Sequence, residues 1–263
     1  MCCFAFPRSP SWLAALFTRP VRVRATQIFA RHEGTTQLIA YAMQLRAPGD
    51  GAMILPIPVR PGCDEREVEF IDLSAAPDLF TLLNAAFVGP EPAMPRGGLR
   101  LPRRARARLV VHQVGAFEAS FVPGVAEFDR LDPRFRLPDA VWSQLPVAGF
   151  GFAVFKLRDT HGSVHVHPMA FRFPTRDPAR IFFPTLHVHD GEAHDSADFD
   201  HALYYQRADA SVHPDHARAW DHASVRLAAE RSRGLVIADV PLARLTISGT
   251  RQNADTWVPA SAT

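Results

Sequence analysis

Two identical tripeptides, His165-Val166-His167 and His187-Val188-His189, bound the segment HVHPMAFRFPTRDPARIFFPTLHVH, and six of the twelve histidines fall between residues 165 and 201. Side chains alternate faces along a strand, so the two histidines of each tripeptide share a face. If residues 163 to 173 pair antiparallel with 181 to 189 so that Phe173 faces Ile181, His167 lies opposite His187 and His165 opposite His189. Directly opposed residues have Cβ atoms about 4.5–5.5 Å apart, close enough for four imidazoles to converge. Neutral imidazole suits zinc, copper, iron and nickel, and a site that keeps one coordination position open is catalytic rather than structural. Asp190, Glu192, His194, Asp195, Asp198, Asp200 and His201 follow closely, able to serve as oxygen ligands, as partners that orient a ligand, or as a general base. The plain alternative is a polar sheet face whose histidines bond to backbone carbonyls. A slip of one residue in register would send the two pairs to opposite faces and abolish the cluster.

The start of the chain, MCCF, is a second candidate. Removal of Met1 would leave Cys2 with a free amine able to act as its own base, the arrangement of N-terminal nucleophile amidases. A thiolate is also a good soft-metal ligand, so Cys2 or Cys3 could instead complete the histidine site. Against the amidase, no Arg-Asp-Asn set with assignable roles is present, and cysteine also packs as an ordinary small hydrophobe. FDHALYYQ places His201 next to Asp200, an acid/base arrangement or simply a strand entry. The catalytic candidates are therefore Cys2, Glu192 and His201, and the metal candidates are His165, His167, His187 and His189, with zinc as the representative ion. HVHDGEAH lacks the Asp-His pair of metallo-β-lactamases and is one residue short of the cupin spacing. No serine sits in a nucleophile elbow, and no glycine loop is arranged to cradle phosphate.

The elements that must position these residues are mostly short strands. VRVRATQIFAR and TTQLIAYAMQL read as two strands around a turn at 32–34, followed by GAMILPIPV, whose Pro56 and Pro58 place it at an edge, and by EVEFIDL. Residues 76 to 87 carry Leu79, Leu82, Leu83 and Ala86 at helical spacing. RLVVHQVGAFEASFV reads as a strand pair, VAEFDRLDPRF and LPDAVWSQLP as short helices, and GFGFAVFKL, SVHVHPMAFRF and IFFPTLHVH as strands. Helical stretches around 215 to 231, a strand ARLTIS and a frayed polar tail over 251–263 complete the chain. The order of YAMQL, GAMILPIPV and EFIDL repeats in AVFKL, HPMAFRFP and IFFPTL, which suggests an internal duplication of a three-stranded unit over 36–73 and 150–189.

A chain of 263 residues with 47% hydrophobic and 21% charged content is globular, and 23 prolines favour short strands over long helices. The expected class is α+β: β-rich, with antiparallel sheets, short peripheral helices and a single globular domain over 1–250. A formal charge of +2 implies no polyanionic partner, and the one basic run, residues 96 to 109 with six arginines, has no aromatic residue interleaved for stacking. Nucleic acid is therefore not an expected partner, nor is a membrane, because no stretch approaches about 18 apolar residues. Three cysteines form no disulfide framework and point to a reducing cytoplasm.

The segments MCCF, IFAR, AMILPIPV, FEASFVP, FRLP, GFAVFKL, HPMAFRFP and FFPTLHVHDG resemble a family of uncharacterised bacterial proteins over roughly residues 1 to 206. The resemblance implies a bacterial source and one folded unit, and brings no activity with it. LYYQ departs from the pattern, where a cysteine is expected in place of one tyrosine. The residues themselves favour a transition-metal-binding protein or metal-assisted hydrolase acting on a small molecule. An N-terminal cysteine nucleophile amidase and a non-enzymatic interaction module are the alternatives. Oligomeric state and substrate are not encoded in any of these patterns.

Overall fold

The computed structural model describes residues 2–5, 22–47, 51–87, 117–131, 136, 139–157, 162–188, 192–207 and 216–261. The first hairpin is the one the sequence announces. β2 (Arg22–Glu33) and β3 (Thr36–Ala47) pair antiparallel through a two-residue loop, with Gly34 at φ +60° in its first position, where a positive φ is required. β8 (Gly162–Pro174) runs along the other side of β3, β5 (Glu69–Asp72) closes that edge, and β11 (Ser196–Gln206), β13 (Leu242–Gln252) and β12 (Ala217–Arg218) extend the sheet beyond β2. A second sheet has the order β10 (His187–Val188), β1 (Cys2–Ala5), β4 (Gly51–Ile57), β7 (Gly151–Leu157), β6 (Phe117–Val122). β9 (Arg180–Phe183) and β14 (Thr256–Pro259) form a separate pair.

The two sheets pack around a common core of Phe4, Ile28, Tyr41, Met53, Phe155, Phe171 and Leu203. Both outer faces are covered as well. Phe29, Ala40 and Tyr204 pack under α1 (Leu79–Ala85) and α3 (His222–Arg231), whereas Ile54, Phe152 and Val188 pack against Phe128 and Trp142, the latter closing α2 (Asp139–Trp142). A strand buried on both faces reads as a continuous apolar run, which is why GAMILPI shows no alternation and is buried throughout.

Several expectations are corrected. The sheets are mixed, because β1 runs parallel to β10 and β11 parallel to β2. β4 lies at the centre of its sheet rather than at an edge. β1 reaches only as far as Ile54, so Pro56 needs no donor on that flank. The two segments read as duplicated three-stranded units form no such units, since β3 and β8 belong to one sheet and β4 and β7 to the other. The expected tail is built into the fold: Arg251 and Gln252 end β13, and β14 pairs with β9, where Trp257 packs on Phe182 at 4.8 Å and Arg180 lies over its ring at 4.6 Å. Of the expected helix over 76–87, residues 79–85 are helical. Asp78 at its start makes no cap and instead pairs with Arg231 of α3 at 2.6 Å. The arginine-rich run 96–109 lies outside the described residues.

Candidate functional site: a histidine pair between the sheets

The pairing on which four converging imidazoles depended does not occur. β8 has β3 on one side and β5 on the other, β9 pairs with β14, and β10 pairs with β1, so His165-Val166-His167 and His187-Val188 stand in different sheets. His165 is the register partner of Gln44. Two residues of β8, His167 and Pro168, oppose one of β3 between Tyr41 and Met43; a proline cannot donate to the ladder, and a bulge accommodates it. His189 and Asp190 lie outside the described residues, and Glu192 is exposed in the connection from β10 to β11.

His187 finds a different partner. In β11, Phe199, His201, Leu203 and Tyr205 alternate onto one face, and the last two lie in the core between the sheets. His201, only 1% exposed, therefore points inward from the seven-stranded sheet and meets His187 of the other sheet. Their Nε2 atoms are 3.0 Å apart, the rings are stacked at 4.8 Å between centroids, and Phe199 packs against both. One ring donates and the other accepts, so neutral imidazoles in complementary tautomers fit this contact. Sequence reasoning singled out both histidines but did not join them. The available signal was a histidine alternating with Phe199 and Leu203 on an apolar strand face.

Three further features build the surroundings. First, Asn253 clamps the short strand β10: its Oδ1 accepts from the His187 N–H at 2.7 Å, and its Nδ2 donates to the carbonyls of His187 at 2.9 Å and His194 at 3.0 Å. Asp255 accepts from the Leu186 N–H at 3.0 Å. Second, β2 is bulged between Arg24 and Gln27, with Ala25 at φ +49° and its N–H donated to Asp200 at 2.6 Å. This strained residue leads into Thr26, the register partner of His201, which is 1% exposed and whose hydroxyl has no hydrogen-bond partner among the described residues. Third, Cys2 is the register partner of His187 in the parallel pair β1–β10. Asp200, adjacent to His201 in sequence, lies on the exposed side of the strand, 4.0 Å from the nearer imidazole nitrogen, too far for a hydrogen bond. A cleft of about 690 Å³, lined by Leu186, His194, Asn253, Asp255 and Trp257, opens beside the β10 clamp.

The other two cysteines are buried. Cys3 is fully buried, and at Cys63 burial, with Glu67 close by, pushes the thiol up to about 11. Reactivity follows the thiolate fraction, so Cys63 is expected to resist iodoacetamide at about pH 8 in the native protein and to be labelled fully in denaturant. Mass spectrometry of the quenched reactions would check this. Rapid native labelling at Cys63 would contradict it.

Among the described residues no three His, Cys, Asp or Glu side chains are grouped to hold a metal ion. No described helix is long and apolar enough to cross a membrane. No protein-family model and no curated protein matches the sequence. Among solved structures, the two-sheet architecture has a counterpart. The chain is similar in fold to baculovirus P35. The superposition has a TM-score of 0.51 and covers 91% of this chain and 97% of that one at 8% identity, a likeness of fold alone.

Proposed function

We propose that this protein binds one transition-metal ion between its two sheets, zinc being the first candidate, with His187 and His201 as imidazole ligands and Cys2 as the thiolate. The observation that carries the reading is the 3.0 Å separation of the two Nε2 atoms. Two imidazoles on one tetrahedral zinc, each bonded at about 2.0–2.1 Å, have their nitrogens about 3.3 Å apart, so a shift of a few tenths of an ångström would admit the ion. The register of β1 on β10 supports Cys2 as third ligand, since parallel partners lie side by side in the sheet. A transition metal held by His187, His201 and Cys2 would supply Lewis-acid chemistry at this place, and this is the basis for reading the site as that of a metal-assisted hydrolase. Thr26, the register partner of His201, would supply a buried hydroxyl able to donate or accept a hydrogen bond at such a site.

The test is elemental analysis of untagged protein purified without chelator or nickel resin, alongside His187→Ala and His201→Asn. About one equivalent of metal in the wild type, lost in both variants with the circular dichroism spectrum retained, is the expected result. A wild type that stays metal-free after incubation with zinc would overturn it. The register of Cys2 beside His187 would then favour the second reading, a cysteine nucleophile assisted by that imidazole.

A further inference from the structure

On the opposite side of the seven-stranded sheet, α3 (His222–Arg231) and the segment 238–242 enclose a cavity of about 320 Å³. Arg218, His222 and Arg226 line it, with Asp239 as the one acid of the lining, and the buried Val225 and Leu242 form its floor. Several arginines elsewhere on the surface are paired with acids. Arg60 is spent on Glu67, Arg130 on Glu65 and Glu127, Arg172 on Glu69, Arg180 on Asp177 and Arg231 on Asp78. The side chains of Arg218 and Arg226 make no ion pair or hydrogen bond among the described residues. The nearby Asp221 makes no ion pair with them; its carboxylate accepts from the Ala223 and Ser224 N–H groups and the Ser224 hydroxyl at the start of the helix.

The wall of the cavity is fixed in advance. Gln206, 2% exposed, donates to the carbonyls of Ile237 at 2.6 Å and Val240 at 2.8 Å and accepts from the Ile237 N–H at 2.9 Å. Arg31 donates to the carbonyls of Gly234 and Leu235, and the buried Ser232 accepts from the Val236 N–H at 3.0 Å. A ligand entering here meets two guanidiniums that are not engaged by Asp239, the one carboxylate of the lining, over an apolar floor on a pre-ordered loop. Pre-ordering lowers the entropy lost on binding.

We infer that this cavity binds a small organic anion, a carboxylate or a phosphate monoester carried on an apolar body, with Arg218 and Arg226 holding the charged group and Val225 and Leu242 packing the body. Guanidinium forks match both oxyanions with paired charge-assisted hydrogen bonds. The volume suits a ligand at the small end of the range for binding pockets.

The test is isothermal titration calorimetry of the full chain with benzoate, phenyl phosphate and the neutral benzamide, repeated on Arg218→Gln, Arg226→Gln and the double variant. Saturable binding of at least one anion, none of benzamide, and a loss of about tenfold or more in each single variant is the expected result, tenfold being about 1.4 kcal/mol. Preference for one of the two anions identifies the headgroup. Both arginines are exposed, so the variants should keep the fold. Absence of saturable binding of either anion at millimolar concentration, or unchanged affinity in the double variant, would overturn the inference.

Discussion

Gln37→Leu is expected to destabilise the protein by about 2–6 kcal/mol, because it leaves two buried backbone groups without partners at about 1–3 kcal/mol each. Gln37 is fully buried in β3, and its amide completes Phe182 on both sides: Nε2 donates to the Phe182 carbonyl at 2.7 Å, and Oε1 accepts from the Phe182 N–H at 3.1 Å. Phe182 lies in β9, which among the described residues has only β14 as a strand partner, so this amide does for β9 what a neighbouring strand would otherwise do. The leucine adds apolar volume but cannot hydrate the exposed dipoles, since Phe182 is itself fully buried. Urea unfolding followed by circular dichroism would measure the loss. Amide exchange at Ile181 and Val258 should rise before global unfolding, because the β9–β14 pair would open as a unit. A Gln37→Leu variant within about 0.5 kcal/mol of wild type would mean that solvent or another group already satisfies Phe182.

The consequence reaches the histidine pair, because β9 leads directly to β10, and Asn253, Asp255 and β14 lie on one short stretch of chain. Thr185 adds a hydrogen bond to the Ala254 carbonyl at 2.9 Å. Loosening β9 from Gln37 would therefore loosen the clamp on His187, and a destabilised variant should also shift the His187 ring away from His201.

How far the sequence discloses this arrangement depends on the range of the interaction. Alternation and turn chemistry are local, and they locate the β2–β3 hairpin, β5, β7 and the helix at 79–85. Partner choice is not local. The tripeptides at 165 and 187 are identical, yet the first lies in a 13-residue strand flanked on both sides, whereas His187 and Val188 form a two-residue edge strand. Nothing within either tripeptide distinguishes these fates. The turn after Pro174 sends the chain to β14 instead of back along β8, and the cue for this is Trp257, some 75 residues away in a stretch that reads as a polar terminus. Pro56 misleads for a related reason: it signals an unpaired flank, and a flank is equally unpaired where a neighbouring strand stops short. The site follows the same rule. His187 stands out by composition, but its partner is set by how the two sheets stack, so it came from FDHALYYQ and not from the matching tripeptide.

Gln206→Leu is the counterpart of Gln37→Leu on the other side of the seven-stranded sheet, with a different expected signature. Gln206 ends β11 and spends its amide on three backbone groups, the Ile237 N–H and the carbonyls of Ile237 and Val240. Three lost bonds at about 1–1.5 kcal/mol each, with no full desolvation penalty because the carbonyls are only partly buried, give an expected loss of about 3–4.5 kcal/mol. This differs from Gln37, where solvent has no access to Phe182. Water can replace the amide at 237–240, so the segment should open locally while β11 keeps its partners β2 and β13. Hydrogen exchange at Val236 and Ile237 should then accelerate much more than at Leu203 or Leu245, which lie within the ladder. Anion binding should weaken with it, although Gln206 touches no ligand, because the wall facing Arg218 and Arg226 would no longer be held. Uniform acceleration across β11 and β13 would instead place the role of Gln206 in the sheet. Unchanged exchange at Ile237 would show that Ser232 and Arg31 suffice to hold the loop, and anion affinity should then match wild type.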